Sequence, residues 1–206
     1  MTQSSPPRFS IIVPHYDGAI SDDRFLRGYS SLVNQVNAPH FEILIYHDGP
    51  KSRPIPQDIP VMETPQRFND WGHTLRDLGM REAKGEYIIH FNPDNILYPF
   101  ALQDIHKELL RQRPTIQNVK DNNEIVIFPI LMRGMQTNGS FVWRETGNEE
   151  NAWMIFTGFP TVKYNIDCMQ LVMKRETWLK EGGWKDKSEE SDGNMYQEFV
   201  TKYGAR

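Results

Sequence analysis

The sequence predicts an α/β fold, with a central mixed β-sheet flanked by helices, in a single domain over residues 1–206. Two observations carry this prediction. Short apolar runs alternate with stretches of helical apolar spacing through residues 1–113, as in strands joined by crossover helices. The length suits one domain with its own core, because a chain of this size buries roughly 70% of the surface that its unfolded form exposes.

Composition and charge exclude several classes of protein. The formal net charge of -4 argues against a protein that binds nucleic acid through bulk phosphate attraction. The single cysteine, Cys168, excludes an internal disulfide framework and a Cys-rich zinc site, and it fits a reducing, cytoplasmic compartment. No apolar run approaches the ~18 residues that span a membrane, and residues 1–8 lack the apolar region of a signal peptide.

Four strands are predicted in residues 1–113. Each is a short apolar run, rich in β-branched or aromatic residues, that leads into a turn with Pro, Gly or Asp. They cover residues 9–13, 41–46, 61–64 and 87–91. Helical apolar spacing predicts three helices between and after them, over residues 21–36, 70–83 and 98–113. Ser21 or Asp22 is the expected N-cap of the first helix, and Lys84-Gly85 the expected C-cap of the second.

The remainder of the chain is less regular. It predicts strands over residues 124–131 and 167–173, and helices over residues 175–181 and 192–203. Between the strands, residues 133–163 form a long excursion, with a hairpin, whose aromatic residues are Phe141, Trp143, Trp153, Phe156 and Phe159. Aromatic rings stack on the apolar faces of sugars, so this composition fits an acceptor-binding wall or lid as well as a small second core.

Three of the predicted strands end in polar turns that carry an acid. These turns are Pro14-His15-Tyr16-Asp17, His47-Asp48-Gly49-Pro50 and Asn92-Pro93-Asp94-Asn95. Ligands of open α/β sheets bind beyond the carboxyl ends of the strands, so the three turns together predict a binding site. Any one of them alone is also an ordinary polar turn, because Asp favours turns.

The familiar phosphate-binding loops are absent from the sequence. Neither G-x-G-x-x-G nor G-x-x-x-x-G-K-[ST] follows the first strand, and G-x-S-x-G and H-E-x-x-H do not occur. A nucleotide that is bound without such a loop usually needs another neutraliser of its charge, such as a divalent cation held by carboxylates.

The order of the motifs resembles that of the family 2 glycosyltransferases of the GT-A fold. The resemblance covers nearly the whole chain and rests on Pro14, Asp48-Gly49, Gly72-x-x-x-Arg76-Asp77-x-Gly79, Ala83-x-Gly85-Glu86-Tyr87-Ile88, Phe91-Asn92-Pro93-Asp94-Asn95-x-x-x-Pro99, Gly182-Gly183-Trp184 and Ser191-Asp192-Gly193. It implies transfer of a sugar from a nucleoside diphosphate, most often UDP, to a glycan hydroxyl. It also implies inversion at the sugar carbon and a divalent metal, Mn²⁺ or Mg²⁺.

The resemblance further implies a role for each matching residue. Residues 1–113 would form the nucleotide-sugar-binding half and residues 114–206 the acceptor-side half. The donor would be bound by Pro14, His15 and Tyr16 near the base, Asp48 at a pyrimidine N–H, Arg76 near the base or diphosphate, and Asn92, Pro93 and Asp94 in the place of an Asp-x-Asp motif. Asp94 would be the metal ligand and Asp192 the general base.

The metal motif departs from the commonest family form, since Asp94 is its only carboxylate. A metal would then depend on Asp94, the donor diphosphate and water, with weak affinity in the absence of nucleotide. Asp192 lies at the start of a predicted helix, and a helix N-terminus stabilises a carboxylate anion. We therefore expect Asp192 to be ionised, as a general base must be.

Two other functions remain open at this stage. A sugar nucleotidyltransferase would want a Gly-rich, basic loop after the first strand, where this chain has Pro14-His15-Tyr16-Asp17. A non-catalytic nucleotide- or glycan-binding module is favoured by the metal motif, which has a single carboxylate. Because Asp192 lies close to the end of the chain, we expect a catalytic core cut from a longer protein, with any membrane attachment supplied outside this sequence.

Purely structural roles are also open for several of these residues. Tyr16 could close a turn, and Arg67 and Arg76 could be surface ion-pair partners. His73 is expected to be a capping or packing residue, and His90 and Cys168 are expected to be buried, His90 with its hydrogen bonds satisfied.

Overall fold

Strands and helices alternate as expected in the computed structural model, which describes residues 5–111, 125–137, 140–142 and 152–205. The strands are β1 (Phe9–His15), β2 (Phe41–His47), β3 (Met62–Glu63), β4 (Tyr87–His90), β5 (Ile125–Ile127), β6 (Ile130–Thr137), β7 (Ser140–Val142), β8 (Ala152–Phe156) and β9 (Leu171–Lys174). The helices are α1 (Asp22–Val33), α2 (His73–Glu82), α3 (Ala101–Leu110), α4 (Arg175–Lys180) and α5 (Ser191–Tyr203). In the described residues, no helix is long and apolar enough to cross a membrane.

The central sheet has six strands in the order β3-β2-β1-β4-β9-β5. The first four are mutually parallel, whereas β9 runs antiparallel to both β4 and β5, which confirms the mixed sheet. β1 pairs with β2 along its whole length, from Phe9 opposite Phe41 to His15 opposite His47. The carboxyl ends of β1, β2 and β4 therefore meet at one edge of the sheet.

The excursion contains a second, three-stranded antiparallel sheet in the order β7-β6-β8, in agreement with the expected hairpin. Trp143 lies outside the described residues, and only the backbone is described for Phe141 and Trp153. Phe159 is exposed at the end of this excursion. The acceptor-wall interpretation of the aromatic residues therefore stays a prediction.

The core lies on both faces of the central sheet. Every residue of β1 is buried, as expected for a parallel strand that is covered by helices on both sides. A group of large aromatic side chains, Trp178, Trp184, Tyr196 and Phe199, is fully buried and belongs to the same continuous core. The elements after β9 are thus packed into the core that the first half of the chain builds.

α1, α2 and α3 are shorter than the apolar spacing predicts, and α3 begins only at Ala101 and ends at Leu110. α1 ends at Val33 because Asn34 folds its side chain back, where its amide donates to the Ser30 carbonyl at 2.9 Å. α2 begins at His73 because Trp71 and Gly72 adopt left-handed backbone conformations, with φ of 55° and 80°. A left-handed backbone conformation interrupts an α-helix, and non-glycine residues such as Trp71 seldom adopt it.

Two further expectations about local structure were wrong. Gly85 does not cap α2, because the C-cap of this helix is Ala83. A Cβ atom at Gly85 would lie 2.5 Å from the Ser10 nitrogen, so this glycine allows the chain to pack closely against β1. Residues 167–170 form a turn rather than the start of β9, because the Asp167 carboxylate accepts the Met169 N–H at 2.9 Å. Asp readily forms such turns with its own backbone.

Candidate active site

The turns after β1 and β2 are joined at the carboxyl edge of the sheet. The Asp48 N–H donates to the His15 carbonyl at 2.9 Å, which continues the pairing of the two strands. The Asp48 carboxylate is buried, and its two oxygens accept the N–H groups of Phe68 and Asn69 at 2.7 and 3.0 Å. Asp48 thereby holds the loop that precedes α2 over the ends of the strands.

The residues after β1 differ in what they expose. Pro14 packs under Gly72, where an added Cβ would lie 2.6 Å from the Pro14 Cβ. The buried His15 ring stacks on Phe25 at 4.3 Å, and burial lowers the pKa of His15 to about 4, with His47 acting in the same direction. Only the Tyr16 side chain is partly exposed among these first three residues, and its carbonyl closes a turn with Ala19.

Arg76 is a buried cation at the centre of the site and is not a surface ion-pair partner. Its Nη1 donates to the Trp71 carbonyl at 2.9 Å, and its Nη2 donates to Asn92 Oδ1 at 2.6 Å and lies 3.2 Å from Cys168 Sγ. No carboxylate of the described residues lies within 4.0 Å of this guanidinium. Its positive charge is therefore available to an anion that enters the site.

The turn after β4 carries the candidate metal ligand. Asp94 is exposed, and among the described residues its carboxylate accepts one long hydrogen bond, from the Asn95 side chain at 3.3 Å. Pro93 is held against α1, because a Cβ atom at Gly28 would lie 2.1 Å from the Pro93 carbonyl oxygen. The glycine lets α1 support this turn directly.

A divalent cation fits this turn only in part. Asn92 Oδ1 is occupied by the Arg76 guanidinium, which disfavours a second cation there. No group of three or more His, Cys, Asp or Glu side chains in the described part of the chain could hold a metal ion. Asp94 provides one unpaired carboxylate, and Mg²⁺ is commonly held by one or two carboxylates together with substrate phosphates and water.

Asp192 lies in the first turn of α5 and faces the same site. Burial raises the pKa of Asp192 to about 6; the Gly193 N–H, at 2.7 Å from its carboxylate, acts against this rise, and the nearby Asp167 charge adds to it. The helix N-terminus was expected to favour the ionised carboxylate, but desolvation has the larger effect on the pKa of Asp192. Asp192 is still mostly ionised at pH 7 and has a pKa suited to accept a proton.

The Gly182-Gly183-Trp184 turn positions the start of α5. The Trp184 backbone N–H donates to Asp77 Oδ1 on α2, and its indole N–H donates to Ser191 Oγ, both at 2.9 Å. Ser191 Oγ lies 3.1 Å from His73 Nε2, and the His73 ring stacks on Trp184 at 5.1 Å. The expected packing role of His73 is confirmed, and the residue before Asp192 is held by two side chains.

Asp167 joins the site although the sequence reasoning missed it. The turn described above places its carboxyl beside Cys168, and burial raises the pKa of Asp167, whereas the nearby Arg76 charge acts in the opposite direction. The charges of Asp94 and Asp192 are also within electrostatic reach. The sequence did contain a signal for this turn, because Asp167 stands at the start of an apolar run and Asp is more typical of turns than of strands.

The expectations for the two remaining interior residues had different outcomes. Cys168 is buried as predicted, and burial raises the pKa of its thiol. His90 is buried as predicted, but neither ring nitrogen has a hydrogen-bond partner among the described residues. Its ring instead lies edge-on to Trp178 and Trp184, with centroids at 5.3 and 4.9 Å.

Comparison with solved structures defines the fold as that of the GT-A glycosyltransferases. S. aureus TarS 1-349 matches at a TM-score of 0.59 and 15% identity, over 95% of this chain and 55% of its own. The complex of the same protein with UDP-GlcNAc matches at a TM-score of 0.59 and 15% identity, over 95% of this chain and 53% of its own. The mannosyltransferase PcManGT from Pyrobaculum calidifontis, in complex with GDP-Man and Mn²⁺, matches at 0.58 and 13% over 98% of this chain and 55% of its own. This chain thus spans about half the length of these structures.

The family model described as "Glycosyl transferase family 2" matches residues 10–172, which is most of the chain. The protein belongs to this family, as the motif order predicted. No curated protein sequence matches it.

Proposed function

We propose that the protein transfers a sugar from a nucleoside diphosphate, with UDP as the favoured nucleotide, to a glycan hydroxyl. The observation that carries the proposal is the position of Arg76. Its guanidinium contacts Asn92 on the donor side and acts electrostatically on Asp192 on the acceptor side. One buried cation thereby lies between the group that would bind the donor and the group that would activate the acceptor, and a sugar transfer requires both.

The donor is bound at the carboxyl edge of the sheet. Asp48 contacts the base and Tyr16 lies near it, while Pro14 and the buried His15 support these two residues from below. The diphosphate lies near Arg76, whose positive charge stabilises the anion that leaves. Pro93 presents the Asp94 carboxylate, which would hold Mn²⁺ or Mg²⁺; when bound, such an ion supplies electrostatic stabilisation of the same leaving group.

The acceptor hydroxyl is activated by Asp192. As the hydroxyl oxygen forms its bond to the sugar carbon, the bond from that carbon to the diphosphate oxygen breaks and the hydroxyl proton passes to the Asp192 carboxylate. Attack from the face opposite the leaving group inverts the configuration of that carbon. The elevated pKa of Asp192 makes it a better proton acceptor than an exposed aspartate.

Measurement of nucleoside diphosphate release tests the proposal. The wild-type protein is incubated with UDP-GlcNAc, UDP-Glc, UDP-Gal and GDP-Man, with and without Mn²⁺. We expect slow release from at least one donor, and Asp192→Asn should lower it by at least ~100-fold while nucleotide affinity is unchanged. Glu189→Gln is the matched control, because it removes an exposed carboxylate from the loop before α5.

The alternatives give different results in the same assay. A non-catalytic module of this fold would bind a nucleotide without releasing any diphosphate. A wild-type protein that binds none of these donors, with or without the metal, would contradict the proposal. Equal losses in Asp192→Asn and Glu189→Gln would remove Asp192 from the role of general base.

A further inference from the structure

Arg67 lies beside the proposed base site but has no part in the function described so far. Its guanidinium carbon lies over the Tyr16 ring, 3.8 Å from the ring centroid, which is a close cation–π contact. Its side chain is 47% exposed, whereas that of Asp48 is 8% exposed. The guanidinium thus has one face against Tyr16 and is open to solvent elsewhere.

The Arg67 guanidinium is held in place at each of its nitrogens. Nη1 donates to the Tyr16 hydroxyl at 3.1 Å, Nη2 donates to Asn69 Oδ1 at 2.8 Å, and Nε lies 3.8 Å from Asp48 Oδ2. Exposed arginines ordinarily sample many rotamers, and ordering one has an entropic cost. Two hydrogen bonds and a longer ion pair restrict the orientation of this guanidinium.

The backbone of Arg67 is positioned by the turn after β2. Gly49 has a φ of 87°, and a Cβ atom there would lie 3.2 Å from both Cβ and N of Arg67. The next two N–H groups along the chain bind the Asp48 carboxylate. The Asp48-Gly49 pair therefore places Arg67 as well as the loop that follows it.

Tyr16 is not free to stack on a base while Arg67 is in place. Arg67 covers one part of its ring, which also lies 5.8 Å from the His47 ring and close to Gly18, where an added Cβ would lie 2.5 Å from Tyr16 Cε1. The half-exposed guanidinium therefore lies between solvent and the part of the Tyr16 ring that it covers.

We propose that the base of the donor nucleotide stacks on the outer face of the Arg67 guanidinium, with Tyr16 as the layer beneath it. This inference rests on the proposed function and names a further binding residue at the same site. Guanidinium planes are known stacking surfaces for nucleobases. Each Asp48 oxygen accepts one backbone N–H and retains capacity for another, so Asp48 remains available to a base N–H.

Calorimetric titration of UDP and of inorganic pyrophosphate tests the stacking surface. Arg67→Ala removes the plane and the charge, while Arg67→Lys keeps the charge without the plane. We expect both variants to bind UDP about ten-fold or more weakly, the scale of one base stack. Pyrophosphate affinity should be the same in Arg67→Lys as in the wild type, because pyrophosphate has no base.

Arg8→Lys is the matched control. Arg8 also lies over a tyrosine, with its guanidinium carbon 4.6 Å from the Tyr87 ring centroid, but Tyr87 begins β4 and is therefore at the opposite edge of the sheet. This variant should bind UDP as the wild type does. Thermal unfolding of each variant checks that the fold is retained.

The other outcomes overturn the inference. If Arg67→Lys binds UDP as well as the wild type, Arg67 acts only through its charge. If Arg67→Ala binds UDP more tightly, Arg67 blocks the base site. If the wild type binds UDP normally, either result leaves the proposed function intact; if the wild type binds no nucleoside diphosphate, the proposed function fails together with this inference.

Discussion

The ionisation of Asp192 links stability to chemistry at a single residue. Burial raises its pKa to about 6 from 3.8, so the folded protein holds this proton more tightly than the unfolded chain does. The ionised form therefore destabilises the fold, with the full effect above about pH 6 and none below about pH 4. A base that is kept in a partly buried site commonly has such a cost.

Asp192→Asn should accordingly stabilise the protein at pH 8 by about 1–3 kcal/mol, since one pKa unit corresponds to ~1.4 kcal/mol and partial exposure reduces the effect. At pH 3 the variant and the wild type should be nearly equally stable, because the carboxyl is then largely neutral in both states. Urea unfolding at the two pH values measures the difference. A stability gain that is equal at both would show that ionisation is not the cause.

Arg76 should set the pH at which Asp192 becomes active. Its charge lowers the pKa of Asp192 and opposes the effects of burial and of Asp167. Arg76→Gln should therefore move the acidic midpoint of the kcat/KM profile to higher pH. Arg53→Gln, which removes an exposed guanidinium that pairs with Asp22, should leave the midpoint unchanged. A midpoint that falls in Arg76→Gln would contradict this electrostatic role.

At the scale of secondary structure elements, α2 and the Gly182-Gly183-Trp184 turn are joined through Asp77. The Asp77 carboxylate accepts the Trp184 N–H and pairs with Arg81 on the same helix. Gly183 has a φ of 76°, and a Cβ atom there would lie 2.1 Å from Asp77 Oδ1. The turn can approach α2 only because that position has no side chain.

Gly183→Ala and Gly182→Ala form a matched pair. Both glycines have positive φ, but a Cβ atom at Gly182 would meet only Lys185 Cδ, at 4.0 Å. Gly182→Ala should cost about 1–2 kcal/mol of stability from backbone strain alone. Gly183→Ala should cost a further ~1–3 kcal/mol from overpacking and should lower kcat by displacing α5. Equal unfolding free energies for the two variants would contradict the contact with Asp77.

At the scale of the whole molecule, the two halves of the chain share one sheet and one core. β9, from the second half, lies between β4 and β5 in the central sheet. α5 packs its buried face, which includes Tyr196 and Phe199, into the same core. A ligand that binds at the carboxyl edge should therefore stabilise the protein as one unit.

Nucleotide binding should raise the melting temperature in a single transition. UDP with Mn²⁺ at 100 times its Kd would add about 2.7 kcal/mol. For a chain of this size that corresponds to roughly 5–11 °C, at about 2–4 °C per kcal/mol. Differential scanning fluorimetry with UDP-GlcNAc and GDP-Man, each with and without Mn²⁺, measures the shift and compares the two nucleotides. No shift with any donor would contradict nucleotide binding.

Local sequence patterns were sufficient for most of the first half of the fold. Strands such as β1 and β4 are continuous β-branched or aromatic runs, and their burial follows from that composition. Helix boundaries were less predictable, because Trp71 and Asn34 depart from helical geometry through contacts that no periodicity reports. Asp167 was missed for the same reason, since its turn interrupts an otherwise apolar run.

The sequence by itself determined the mixed α/β fold, the family, and the positions of Asp48, Asp94 and Asp192 beyond strand ends or at a helix start. These follow from patterns that are local along the chain. Only the tertiary structure decided that Arg76 is a buried cation, that Arg67 covers Tyr16, and that the pKa of Asp192 is raised. Those properties depend on burial and on contacts between residues distant in sequence, which local patterns do not encode.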